Sequence, residues 1–338
     1  LCTYNPNQYN VLLMSTPRME GLLRELHLGK SGELDNMFNR YYYKHIFSRM
    51  VNYVQPDYAI NVGNLFAQTD LFEEHFHKQM QHYRTVFNHT SYLQKLQATQ
   101  GHEGPFLYNI TGNRDTGYSS RMNMHYLLRL EKNFGHVEIA DWHGVKVVFL
   151  PSLCVDDDVE EPNRCNAQAQ HVLRTAANYR KKYPHAPMIL VSYLGLEKNT
   201  PPTIQYTGSG RVYFQNALST NASNWILENI QPSLILSGYE DNFFQYNHKY
   251  GTPEYNIPSI LGENNGQVAI MNFAYDTETM NFDHSVHSCH FLHYYVVLFV
   301  AVIVLLFGVV LAGMVISMIV VSTASLLQQA IADIKNNK

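Results

Sequence analysis

The sequence predicts one α/β domain followed by a single membrane-spanning helix. Two observations carry this. Short β-branched or aliphatic runs alternate with longer helical stretches up to about residue 275, and an uncharged apolar segment fills 296–321. Alternation of that kind argues for a sheet with helices on both faces. The chain has 338 residues, 46% hydrophobic and 15% charged. That composition excludes a disordered chain. A net charge of -4 lacks the basic surface that nucleic-acid binding needs.

Strands are expected over 11–14, 57–62, 105–110, 144–150, 187–192, 233–236 and 267–273. Helices are expected over 35–51, 72–97, 119–133, 167–182 and 221–229. With no internal repeat or low-complexity linker, 1–275 reads as one domain. Residues 276–295 read as a juxtamembrane connector, 296–321 as the transmembrane helix and 322–338 as a short tail.

As a helix, 296–321 spans roughly 39 Å at about 1.5 Å per residue, against a hydrocarbon core about 30 Å thick. A buried core helix rarely runs so far without a polar face. Lys335 and Lys338 come after the span, whereas 281–295 holds no Lys or Arg. The excess of positive charge places the tail in the cytosol and the large domain on the other side. Tyr294 and Tyr295 stand where an interfacial aromatic belt belongs. Gly308 and Ala312 form a small-xxx-small pair that could seat a partner helix.

Sequons at Asn88, Asn109 and Asn221 agree with an extracytosolic domain. Cys154 and Cys165 bracket an acidic loop and could close a small disulfide ring, with two reduced thiols as the alternative. The chain starts at Leu1 rather than Met, so a removed signal or N-terminal anchor is expected.

The loops at the strand ends are the informative feature. They read Ser15-Thr16-Pro17-Arg18, Gly63-Asn64-Leu65-Phe66, Gly112-Asn113-Arg114-Asp115, Ser192-Tyr193-Leu194-Gly195-Leu196 and Ser237-Gly238-Tyr239-Glu240-Asp241. In α/β sheets such turns gather at one edge, where sites form.

The order of these motifs resembles the calcineurin-like metallophosphoesterases, whose strand ends carry D-x-H (or D-x-Q), GD, GNHD, a lone H and GH-x-H. Stretches 129–135, 213–218 and 246–248 look most like the endoplasmic-reticulum branch, membrane-anchored phosphoesterases that trim ethanolamine phosphate from GPI anchors. The similarity covers roughly residues 10–270. It implies a β-sandwich flanked by helices, with two metal ions and a bridging hydroxide at the converged loops. Position by position the ligands are missing. Thr16 stands for the first Asp and Arg18 for the His or Gln two residues on. Asn64 replaces the bridging Asp, and Arg114 the His of GNHD. Tyr193 replaces the lone His, and Tyr239 and Asp241 the last two His. Asn113 and Asp115 are retained.

Neutral amides, phenols and two cations are poor company for divalent ions. A catalytically inactive protein with no cofactor is therefore expected. It would be a structural or regulatory subunit of a membrane complex, contacting a partner through both the helix and the large domain, in the endoplasmic reticulum or secretory pathway. Two alternatives stay open. One is a lumenal module that binds a phosphate headgroup or GPI-anchored cargo, with Arg18 and Arg114 cradling the anion. The other is a residual phosphodiesterase with an altered metal site. The histidines at 75, 77, 82 and 89 read as a solvated helix surface. The acidic run from Asp156 reads as a solvated loop without EF-hand spacing.

Overall fold

The computed structural model describes residues 4–19, 29–67, 72–87, 92, 94, 105–157, 164–261, 266–291 and 294–336. It comprises two units, Leu1–Phe291 and Leu292–Lys338.

The first unit begins β1 (Tyr9–Met14), α1 (Lys30–Val54), β2 (Tyr58–Val62), α2 (Glu73–Phe87) and β3 (Leu107–Ile110). A one-turn α3 (Asn113–Thr116), α4 (Met124–Phe134), β4 (Ile139–Trp142), β5 (Val145–Leu150) and α5 (Arg164–Lys182) come next. Then come β6 (Met188–Ser192), β7 (Ile204–Tyr206), β8 (Val212–Gln215), α6 (Thr220–Asn229) and β9 (Leu234–Ser237). The last strands are β10 (Phe244–Asn247), β11 (Pro253–Asn256), β12 (Gln267–Asp276) and β13 (Asn281–His290).

One sheet runs β13-β12-β1-β2-β3, a second β10-β11-β9-β6-β5-β4, and β7 pairs with β8. Strands β1, β2 and β3 are mutually parallel, as are β5, β6, β9 and β11. Parallel strands need both faces covered, which is why β5, β6 and β9 read as near-continuous apolar runs. One core cluster joins the sheets. Val11, Leu13, Ile60 and Val62 from the first meet Val147, Ile189, Val191 and Leu236 from the second. The outer face of the first sheet lies under α2, where the Tyr83 hydroxyl accepts from Asn61 Nδ2 of β2 at 3.1 Å. Helix α5 packs on β5 with Val172, Leu173 and Ala176 in the core.

All seven expected strands form, with ends that coincide or differ by at most three residues. Helix α2 stops at Phe87, and of 88–97 only 92 and 94 are described. The helix expected over 119–133 is split. Residues Ser119–Arg121 make a 3-10 turn, and Asn123 starts α4 by accepting from the His125 N–H at 2.9 Å. The connector expected at 276–295 needs a larger correction. Residues Asn281–His290 form β13, paired along its length with β12. Only Val286 and Cys289 of this edge strand are buried, so hydropathy does not mark it.

The second unit is α7 (Tyr294–Asn336). Its segment Val296–Gln329 is long and apolar enough to cross a membrane. Asn88, His89 and Lys338 lie outside the described residues, as do the side chains of Tyr294, Tyr295 and Lys335.

Candidate functional site

Five loops meet at the carboxyl ends of the parallel strands. Thr16 N–H donates to the Gly63 carbonyl at 2.5 Å, and Arg18 N–H to the Asn64 carbonyl at 3.0 Å. Arg114 N–H donates to Asn64 Oδ1 at 2.9 Å. Gly238 N–H meets the Tyr193 carbonyl at 3.2 Å within the second sheet, and the two sheets are tied where Ser15 Oγ–H donates to the Ile257 carbonyl at 3.0 Å. The approach is close. A Cβ on Gly238 would fall 2.4 Å from the Val62 carbonyl oxygen. Thr16 and Arg18 hold φ of 46° and 37°. This left-handed conformation costs a β-branched residue about 1–3 kcal/mol.

The centre is a chain of neutral hydrogen bonds. Asn64 Nδ2 donates to the Tyr193 hydroxyl at 2.8 Å, and that hydroxyl donates to Asn113 Oδ1 at 2.7 Å. Tyr193 is 2% exposed. Burial, with Tyr118 and acidic neighbours adding to it, pushes its phenol well above the ordinary range, so it stays protonated. Tyr239 packs edge-on against it at 5.7 Å. Thr16 Oγ1 shares a hydrogen bond with Ser15 Oγ at 3.2 Å.

The charged residues separate. Arg18 Nη2 lies 3.9 Å from Asp241 Oδ1. The Arg114 side chain is exposed and reaches the Ala67 carbonyl at 3.4 Å. The two guanidiniums thus have different partners, and no shared anion cradle is formed. Asp115 lies beneath the site. Its carboxylate accepts from Leu65 N–H at 3.0 Å, Phe66 N–H at 2.8 Å and Gly112 N–H at 2.8 Å. Burial pushes its carboxyl up to about 7, against the opposing pull of those three donors.

One group escaped the sequence reading. Glu254 of β11 is fully buried and binds Ser237 Oγ at 2.9 Å, Leu196 N–H at 3.0 Å, Lys198 Nζ at 3.2 Å and His248 Nε2 at 2.8 Å. Burial alone would raise its carboxyl, but His248, Lys198 and the Leu196 N–H outweigh it and hold it low. Glu254 thereby clamps the loop after Tyr193 to the strand before Tyr239. His248, in the stretch 246–248, was its only trace in the sequence.

Other predicted residues lie elsewhere. Cys154 and Cys165 are joined by a disulfide. Asp156 and Asp157 are half-buried, Asp156 accepting from Ser219 and Gln215 and Asp157 from Asn166 Nδ2 at 2.9 Å and Val212 N–H at 2.9 Å, while 158–161 of the acidic run lie outside the described residues. Asn109 is half-buried, its amide oxygen accepting from the Tyr83 hydroxyl. Asn221 is exposed at the start of α6. A Cβ on Gly308 would meet nothing within 4 Å. His77 sits 3.3 Å from Glu73 and His82 2.9 Å from Arg40. Among the described residues no group of three or more His, Cys, Asp or Glu is arranged to hold a metal ion.

No family model matches the chain. It is 23% identical to metallophosphoesterase 1 of Cricetulus griseus over 255 residues, 68% of this chain and 61% of that one. The chain thus spans about 61% of the length of that curated relative. It is 21% identical to protein TED1 of Saccharomyces cerevisiae, over 85% of this chain and 79% of that one. The chain resembles the calcineurin-like metallophosphoesterases. A dimetal phosphatase from Danio rerio superposes with a TM-score of 0.48 at 8% identity, covering 83% of this chain and 98% of that one.

A metallophosphoesterase holds two metal ions, and the donors present here do not suit them. Asn64 and Asn113 spend their amides on Tyr193 and Arg114 N–H. Tyr193 keeps its proton, and Asp241 faces a guanidinium. Two divalent ions need several anionic or imidazole ligands to offset their desolvation.

Proposed function

We propose that this protein is a catalytically inactive, membrane-anchored member of the metallophosphoesterase-like group, acting as a structural or regulatory subunit of a membrane complex. The observation that carries this reading is the Tyr193 hydroxyl bonded between Asn64 and Asn113. Side chains at ligand positions satisfy one another, so the site is an internal polar bridge between two sheets. The charge asymmetry around the span in the sequence supports an extracytosolic large domain, which we read as lumenal in the endoplasmic reticulum or secretory pathway. The separate partners of Arg18 and Arg114 weigh against the headgroup-binding alternative.

The test is elemental analysis of the purified full chain together with a phosphodiesterase assay. Two metals per chain, or turnover abolished by Asn113→Ala, would refute the reading. Thr16→Asp combined with Asn64→Asp should leave co-purifying proteins unchanged, whereas Gly308→Leu or Ala312→Leu should loosen them. For topology, protease added to the cytosolic side of sealed vesicles should spare the large domain.

A further inference from the structure

A cavity lies beside helix α6, lined by none of the side chains of the Tyr193 bridge. It has a volume of about 530 Å³, and its lining includes Asp156, Tyr206, Ser219, Asn221 and Trp225. Its floor is polar and already satisfied, since Asp156 accepts from the Ser219 N–H at 2.8 Å. Its walls are aromatic: Trp225 is 38% exposed and Tyr206 48% exposed. A large ring left open beside polar groups suits a partner with one apolar and one polar face, as a pyranose ring has.

The occupant is indicated by the helix itself. Asn221 and Trp225 are four residues apart on α6, so their side chains share one face a turn apart. Asn221 heads the sequon Asn221-Ala222-Ser223. The hydroxyl of Ser223 is buried and accepts from the Glu197 N–H at 2.9 Å, so the sequon is open to an enzyme only before the chain folds. We propose that Asn221 carries an N-linked glycan whose first N-acetylglucosamine ring lies on Trp225 inside this cavity. In the attachment step Asn221 Nδ2 bonds to C1 of a lipid-linked diphosphate sugar. The C1–O bond to the diphosphate breaks, the lipid diphosphate leaves, and the amide proton passes to a base of the transferring enzyme. The inference rests on the lumenal placement of the domain.

The chain offers a clean probe. It has 2 tryptophans, and the other, Trp142, is fully buried. Acrylamide quenching therefore reads Trp225. The full chain, made in a eukaryotic secretory host, is first checked for Asn221 occupancy by glycopeptide mass spectrometry, with Asn221→Gln as control. Complete enzymatic removal of the glycan should raise the quenching constant about twofold, as an uncovered ring becomes accessible. Trimming to a single sugar should leave it unchanged, and Trp225→Phe should abolish the response. An unmodified Asn221, or quenching indifferent to complete removal, overturns the proposal. An unmodified Asn221 in a domain protected inside sealed vesicles would leave the topology standing. Digestion of the domain from the cytosolic side would remove both.

Discussion

The ring of Tyr193 lies so close to Gly63 that a Cβ there would fall 2.4 Å from Tyr193 Cδ2. The phenol fills the space above the second loop, and its hydroxyl joins loops from both sheets. Tyr193→Phe would leave Asn64 Nδ2 and Asn113 Oδ1 without this partner. The loss should be about 1–3 kcal/mol, because a buried amide left unsatisfied keeps its full desolvation cost. Urea unfolding of the full chain in detergent checks it, and an unchanged midpoint would show that the bridge contributes nothing.

Asp115 should make stability fall as pH rises. Its folded carboxyl is pushed up to about 7 from an ordinary 3.8. Below the ordinary value both folded and unfolded chains are protonated, and there is no difference between them. Between the two values the unfolded chain ionises while the folded one keeps its proton, so folding takes up a proton and weakens with rising pH. Comparison with Asp115→Asn isolates this slope, which the variant should lack. A melting temperature of the native chain that rises over this window relative to the variant would contradict the assignment.

Glu254 should act in the opposite direction. Its carboxyl is held low, so its contribution is present above the ordinary carboxylate range and is lost as pH falls through the folded value. Glu254→Gln leaves Lys198 without its carboxylate and weakens the hold on His248. Breaking a buried pair in this way costs about 3–5 kcal/mol. The same variant should release the loop after Tyr193, seen as faster amide exchange at Leu196.

The pair Arg18 and Asp241 should matter little. The two side chains are 28% and 40% exposed and 3.9 Å apart. Asp241→Asn is expected to change stability by less than about 1 kcal/mol after solvent screening. A loss of several kcal/mol in chemical denaturation would mean that this contact is a principal tie between the first and last loops.

The sequence alone determined the pattern that hydrophobic periodicity can carry. Central strands such as β6 and β9 are fully buried on both faces, so their composition marks them wherever they pair. The apolar run of α7 is legible for the same reason, and the order of the five loop motifs named the fold. Tertiary structure alone decided what those loops do. Whether Arg18 and Arg114 share an anion or find separate partners depends on where two distant backbones place their side chains. Glu254 sits 58 residues from Leu196, the N–H it binds, and no local pattern announces a buried carboxylate. Strand β13 is an edge, half solvated and rich in His and Ser, so it becomes a strand only because β12 offers it a partner. Pairing and burial are properties of contacts between remote segments, and composition reports them only where a residue is apolar enough to require them.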